Sequence, residues 1–150
     1  MSRVQLAINV SNLDEAIDFY SKFFKSEPSK VRAGYANFAI DEPPLKLVLI
    51  ENPGDAGSLN HLGVEVFSTT DVTDATNYLA GVGLSTKVED ETTCCYAVQD
   101  KVWVDGVDGV PWEVYTVLSD SMTADKIAGD GRCCTSDSAS LNDPAVASCC

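Results

Sequence analysis

The 150-residue chain holds a single histidine, and its Lys and Arg total 10 against 23 Asp and Glu, for a net charge of −13 and a pI near 4.2. So few cations exclude nucleic acid and anionic membrane as partners, because phosphate recognition needs clustered Lys and Arg. No apolar run approaches the roughly 20 residues of a membrane-spanning helix. Met1 is followed by a polar segment without an apolar core, so no signal peptide is expected and the cytoplasm is the default location. Walker, Rossmann and nucleophile-elbow motifs are also missing, which leaves hydrolase and nucleotide-dependent chemistries without support. Hydrophobic residues nevertheless make up 45% of the chain, enough for a globular core.

What the chain does have is cysteine in an unusual arrangement. Its six cysteines form three adjacent pairs, Cys94–Cys95, Cys133–Cys134 and Cys149–Cys150. Disulfide frameworks join residues distant in sequence, and a ring between neighbours is strained. In a reducing compartment such pairs read as free thiols available to soft ligands.

The chain also repeats. RVQLAINVSNLDEAIDFYSKFF alternates as a strand, caps at Asn12 and continues with helical spacing at Leu13, Ile17, Tyr20 and Phe24. NHLGVEVFSTTDVTDATNYLAGVG repeats the plan, with strand residues 60–67, a cap near Thr70 or Asp71, and Gly81 and Gly83 as stop signals. Three strand-like runs follow each helix: 30–33, 35–40 and 45–50 in the first half, and 84–89, 96–104 and 112–118 in the second. The expected architecture is α+β: two paired βαβββ modules, about 1–54 and 58–118, forming one domain over 1–118. Residues 119–150, rich in Ser, Asp, Ala and Gly, read as a flexible tail carrying two cysteine pairs.

Superimposing the repeats sets Gln5 opposite His61 and Leu47 opposite Glu113. Three of these four positions can ligate a metal. A lone histidine is more often a hydrogen-bonded core or surface residue than a ligand, and a strand glutamate more often faces water. Glu113, however, shares a face with Tyr115 in an otherwise apolar strand, and a buried carboxylate needs a partner or a metal. Of the aromatics, Tyr35, Tyr96, Trp103 and Tyr115 are candidates to line a pocket, with core packing the alternative for at least two.

The paired modules with Gln5, His61 and Glu113 resemble the glyoxalase/bleomycin-resistance/extradiol-dioxygenase (vicinal oxygen chelate) superfamily over residues 1 to about 118. Within it, KVRAGYANFAI, PPLKLVLIENPG, NHLGVEV, TTCCYAVQDKVWV and PWEVYTVL are similar to the organoarsenical C–As lyases, including members once described as cadmium-induced proteins. The resemblance implies a non-haem Fe(II) site of Gln5, His61 and Glu113, an arsenic-binding pair Cys94 and Cys95, and O2-dependent cleavage of trivalent organoarsenicals (methylarsenite, aromatic arsenites) to arsenite. Glutamine in place of the second histidine of the usual facial triad is a weaker ligand, so Ni, Co or Zn can also occupy the site.

Two readings compete with it. One is a protein that sequesters arsenicals or cadmium on its thiols without turnover. The other is a glyoxalase-type isomerase, disfavoured because Leu47 occupies the fourth position. Adjacent side chains on an extended strand point to opposite faces, so Cys94 and Cys95 can meet one arsenic only if residues 90–95 form a loop. Cys133, Cys134, Cys149 and Cys150 are left as incidental or auxiliary binders. Monomer and homodimer remain open, as does exchange of modules between chains.

Overall fold

A computed structural model describes residues 2–122. Its strands are β1 (Arg3–Val10), β2 (Lys30–Arg32), β3 (Tyr35–Ile40), β4 (Leu45–Glu51), β5 (Leu59–Glu65), β6 (Thr86–Cys94), β7 (Ala97–Asp105) and β8 (Pro111–Asp120), with helices α1 (Leu13–Phe24) and α2 (Thr69–Gly81). They build one eight-stranded mixed sheet in the order β2-β3-β4-β1-β5-β8-β7-β6. Each half is βαβββ, and the halves join where β1 and β5 pair antiparallel.

Alternation along the strands separates two faces. Leu6, Ile8 and Val10 of β1, Ala36 and Phe38 of β3, and Leu47 and Leu49 of β4 pack with Leu13, Ile17 and Tyr20 beneath α1. The alternate residues Gln5, Ala7 and Asn9 are buried on the opposite, concave face. Local chemistry fixes the helix entries. The Asn12 side chain accepts from Glu15 N at 3.0 Å, and Ser68 Oγ accepts from Asp71 N at 3.1 Å. The second cap thus falls ahead of Thr70 and Asp71, because a serine hydroxyl was available two to three residues earlier.

Three further expectations are corrected. β8 continues to Asp120, and Ser121 N reaches Tyr96 O at 2.8 Å, so the domain runs past residue 118. Residues 90–94 are strand, not loop. β6 absorbs an irregularity between Glu89 and Thr92, where Glu91 takes a left-handed φ of 47°. Finally, Gly63 pairs with Glu113 across β5 and β8 as Ala7 pairs with Val48 across β1 and β4. The repeat-mate of Glu113 is therefore Val48, and Leu47 belongs to the helix-facing layer. The fourth position still offers no ligand. Cys133, Cys134, Cys149 and Cys150 lie outside the described residues.

Candidate active site

The concave face encloses a cavity of about 300 Å³ whose lining includes Gln5, Val48, Cys95, Gln99, Lys101, Glu113 and Tyr115. Neighbouring strands bring the three candidate ligands together. Gln5 on β1 faces Gly63 on β5, which faces Glu113 on β8. Gly63 is what permits their approach: a Cβ there would stand 3.0 Å from Glu113 Cγ and 3.3 Å from Gln5 Cβ. Gln5 Nε2 lies 2.9 Å from His61 Nε2 and 2.7 Å from Glu113 Oε1, and His61 Nε2 lies 3.3 Å from Glu113 Oε1. All three side chains are buried.

Directional hydrogen bonds hold this junction. Asn60 Nδ2 donates to Asn9 Oδ1 at 3.2 Å, which leaves Asn60 Oδ1 to accept from His61 Nδ1 at 2.7 Å. The imidazole of this tautomer turns an unprotonated Nε2 toward Gln5 and Glu113. On the other side the Tyr115 hydroxyl donates to Gln5 Oε1, and Lys101 Nζ donates to Glu113 Oε2 at 2.8 Å. Burial alone would push the Glu113 carboxyl up, but chiefly the Lys101 ammonium holds it down, to about 2. Burial raises the Tyr115 hydroxyl well above its ordinary range, so it stays a donor.

Among the described residues no three His, Cys, Asp or Glu side chains gather as a metal site, so any ion here depends on the Gln5 amide as third donor. The donor set fits one. A basic imidazole nitrogen, a carboxylate oxygen and an amide converge on a point that the amide hydrogens fill in this structure. Rotating the amide by half a turn would present Oε1 there and leave Nε2 to donate to Tyr115. Glu113 would keep its Lys101 contact through Oε2.

Cys95 reaches the same cavity, with Cys94 buried beside it, by a route not foreseen. Cys94 ends β6, and Cys95 and Tyr96 form a two-residue hairpin turn with φ of 55° and 62°, before Cys94 pairs with Ala97. The turn rotates Cys95 out of strand alternation, and the two Sγ atoms stand 3.0 Å apart as buried thiols without a disulfide. That is well beyond the ~2.05 Å of a disulfide bond. Asp100 fixes the irregularity upstream, accepting from Glu91 N at 2.8 Å and Thr69 Oγ1 at 2.7 Å. Gln99 Nε2 donates to Cys94 O at 3.3 Å. Tyr35 packs on Tyr96 with ring centroids 5.8 Å apart, and Trp103 lies edge-on to His61 at 5.5 Å. Of the four aromatics, Tyr35 and Tyr115 line the cavity while Trp103 and Tyr96 support it.

Sequence reasoning missed Lys101, Gln99, Asp100 and Asn60. The one available signal was DKVWV, where a lysine shares strand parity with Trp103; that parity places it inside once Trp103 is known to be buried.

Residues 3–114 match the family model of the Glyoxalase/Bleomycin resistance protein/Dioxygenase superfamily. The chain belongs to that superfamily. Over its full length it is 57% identical to the trivalent organoarsenical cleaving enzyme of Thermomonospora curvata, all of which is covered. It is 62% identical to the cadmium-induced protein CadI of Mycobacterium tuberculosis over 82% of this chain and 81% of that one. Among solved structures, the Mn(II)-bound glyoxalase from Novosphingobium aromaticivorans superposes with a TM-score of 0.56 at 19% identity. The match covers 87% of this chain and 45% of that one, a likeness of fold. No helix among the described residues is long and apolar enough to cross a membrane.

Proposed function

We infer that this member of the superfamily cleaves the carbon–arsenic bond of trivalent organoarsenicals, methylarsenite and aromatic arsenites, to release arsenite, and that it serves arsenic detoxification in the cytoplasm. The observation that carries this reading is the pair of reduced thiols 3.0 Å apart, one of them opening on the cavity that Gln5, Lys101, Glu113 and Tyr115 line. The name of the Thermomonospora curvata relative agrees with it.

Trivalent arsenic exchanges hydroxyl for thiolate without change of oxidation state. Each cysteine forms an S–As bond as an As–O bond breaks, and the thiol proton leaves with the hydroxyl as water. Cys95 lines the cavity and Cys94 lies fully buried beside it, so capture proceeds from Cys95 to Cys94. With both bonds made, the organic group is the third substituent and is held in one orientation, which is catalysis by positioning.

His61 Nε2, Glu113 Oε1 and the Gln5 amide oxygen would hold Fe(II), with Ni, Co or Zn as alternatives for the same donors. Bound Fe(II) with open coordination positions would supply the O2 chemistry that breaks the carbon–arsenic bond. Lys101 keeps Glu113 ionised, and Tyr115 sets the amide's orientation.

The test is arsenic speciation after incubating reduced, Fe(II)-reconstituted protein with methylarsenite, aerobically and anaerobically. Arsenite that forms only with iron and oxygen, and not in Cys94→Ser/Cys95→Ser protein, supports the reading. Stoichiometric capture without arsenite under any condition would replace it with sequestration.

A further inference from the structure

Gln99 has a buried oxygen that the fold leaves unused. The residue is only 7% exposed, and its Oε1 has no hydrogen-bond partner. The amide cannot relieve this by turning over, because Nε2 donates to Cys94 O, and reversal would set two oxygens against each other. A buried acceptor without a donor is unfavourable and calls for an explanation, such as a ligand. Gln99 lines the same cavity as Cys95, and it shares strand parity on β7 with Lys101, which also lines it. Gln99 Oε1 takes no donor from Lys101, whose Nζ donates to Glu113, and the cavity it lines is where a donor can enter.

We propose that Gln99 is the substrate's hydrogen-bond acceptor during arsenical capture, with Oε1 receiving the remaining arsenic hydroxyl after Cys95 has bonded while Nε2 holds the Cys94 peptide in place. This rests on the thiol-capture reading above. In the first step Cys95 displaces one hydroxyl of R–As(OH)2, giving R–As(OH)–S and water. In the second, Cys94 forms the other S–As bond, and its proton leaves with the remaining hydroxyl as a second water. Gln99 thus holds the peptide that carries the second nucleophile while accepting from its leaving group, and so orients one toward the other. Ligands without a hydroxyl on arsenic gain nothing from it. The residue therefore favours hydroxylated trivalent arsenicals over other reagents that reach the same thiols.

The experiment uses the full chain, reduced and metal-free, with phenylarsine oxide (hydrated in water to the dihydroxy form) as the probe. Capture is followed by tryptophan fluorescence, with arsenic stoichiometry from mass spectrometry. Methyl methanethiosulfonate, which labels thiols but donates no hydrogen bond, is run in parallel. Losing one neutral hydrogen bond in Gln99→Met should slow closure of the two-thiol adduct about three- to tenfold. Labelling by the thiosulfonate should change less than twofold. Equal slowing of both reagents would overturn the proposal and leave Gln99 as a brace for the hairpin, and an unchanged arsenical rate would also overturn it. If unaltered protein takes up no arsenic at Cys94 and Cys95, the thiol-capture reading falls and this proposal falls with it.

A second measurement avoids altering Gln99. Cys94→Ser protein stops at the Cys95 adduct with its hydroxyl retained, and the Gln99 side-chain carbonyl carbon should then move downfield in the NMR spectrum. A resonance unmoved in arsenic-loaded protein would refute the contact.

Discussion

Replacing Lys101 with methionine tests the electrostatics on which the site depends. The ammonium is 1% exposed, lies 2.8 Å from Glu113 Oε2, and sits 5.2 Å from the Trp103 ring centroid. Methionine keeps most of the volume and removes the charge, which leaves a carboxylate buried without its cation. Breaking a buried pair from one side costs about 3–5 kcal/mol. The pH dependence gives an independent figure. Glu113 is held near 2 in the fold and returns to about 4.3 when unfolded, which corresponds to about 3 kcal/mol.

The sign follows from that depression. The unaltered protein has this contribution above pH 5 and loses it as pH falls through the carboxylate range toward 2. In Lys101→Met the chief opposing charge is gone and burial pushes the carboxyl up, so deprotonation now works against folding. The stability gap between the two metal-free proteins should then be widest at pH 7 and close on acidification. Urea denaturation of both proteins between pH 7 and pH 3 measures it. Parallel curves, or a gap at pH 7 below about 1 kcal/mol, would refute the assignment of Lys101 as the counter-ion of Glu113.

Gly63→Ala should destabilise by about 1–3 kcal/mol through overpacking, since its Cβ meets Glu113 Cγ at 3.0 Å. It should also weaken divalent-metal binding, and thermal melts with calorimetric metal titration would register both effects. Tyr115→Phe removes the donor to Gln5 Oε1 while keeping the ring. Calorimetry should find Co(II) binding changed by no more than about tenfold and the fold intact, and a loss as large as that of His61→Ala would contradict a merely orienting role. Asp100→Ala frees the Glu91 amide and the Thr69 hydroxyl. Losing two hydrogen bonds to a buried charge should cost about 3 kcal/mol or more and speed hydrogen exchange across β6 ahead of the rest of the sheet.

Much of this was legible in sequence, and the failures have physical causes. The repeat and its alternation located Gln5 and His61 because VQLAINV and NHLGVEV switch between apolar and polar in step, and Glu113 followed from the face it shares with Tyr115. LKLVLI carries no such alternation: apart from Lys46 it is apolar on both sides, so its register slipped by one residue, and in a strand one residue is a change of face. The hairpin at Cys95 and Tyr96 was invisible for a different reason. Two-residue turns with left-handed dihedrals are normally announced by Asn or Gly, and here a cysteine and a tyrosine adopt them at a conformational cost. Lys101 escaped because an Asp-Lys pair reads as solvated until a carboxylate from another strand is placed beside it.

The bond between Gln5 and Glu113 joins residues 108 positions apart in the chain, while the two thiols are contributed by the β6–β7 hairpin at the sheet's far edge. Neither the Gln5–His61–Glu113 junction nor the mouth of the cavity exists until the last strand has docked, so a partly synthesised or half-folded chain offers at most a thiol pair with no site behind it. Anything held jointly by Gln5, His61 and Glu113 grips both ends of the folding unit, and its binding energy is distributed over the whole domain instead of one corner. Occupancy of that junction would thereby report on the integrity of the entire folded domain.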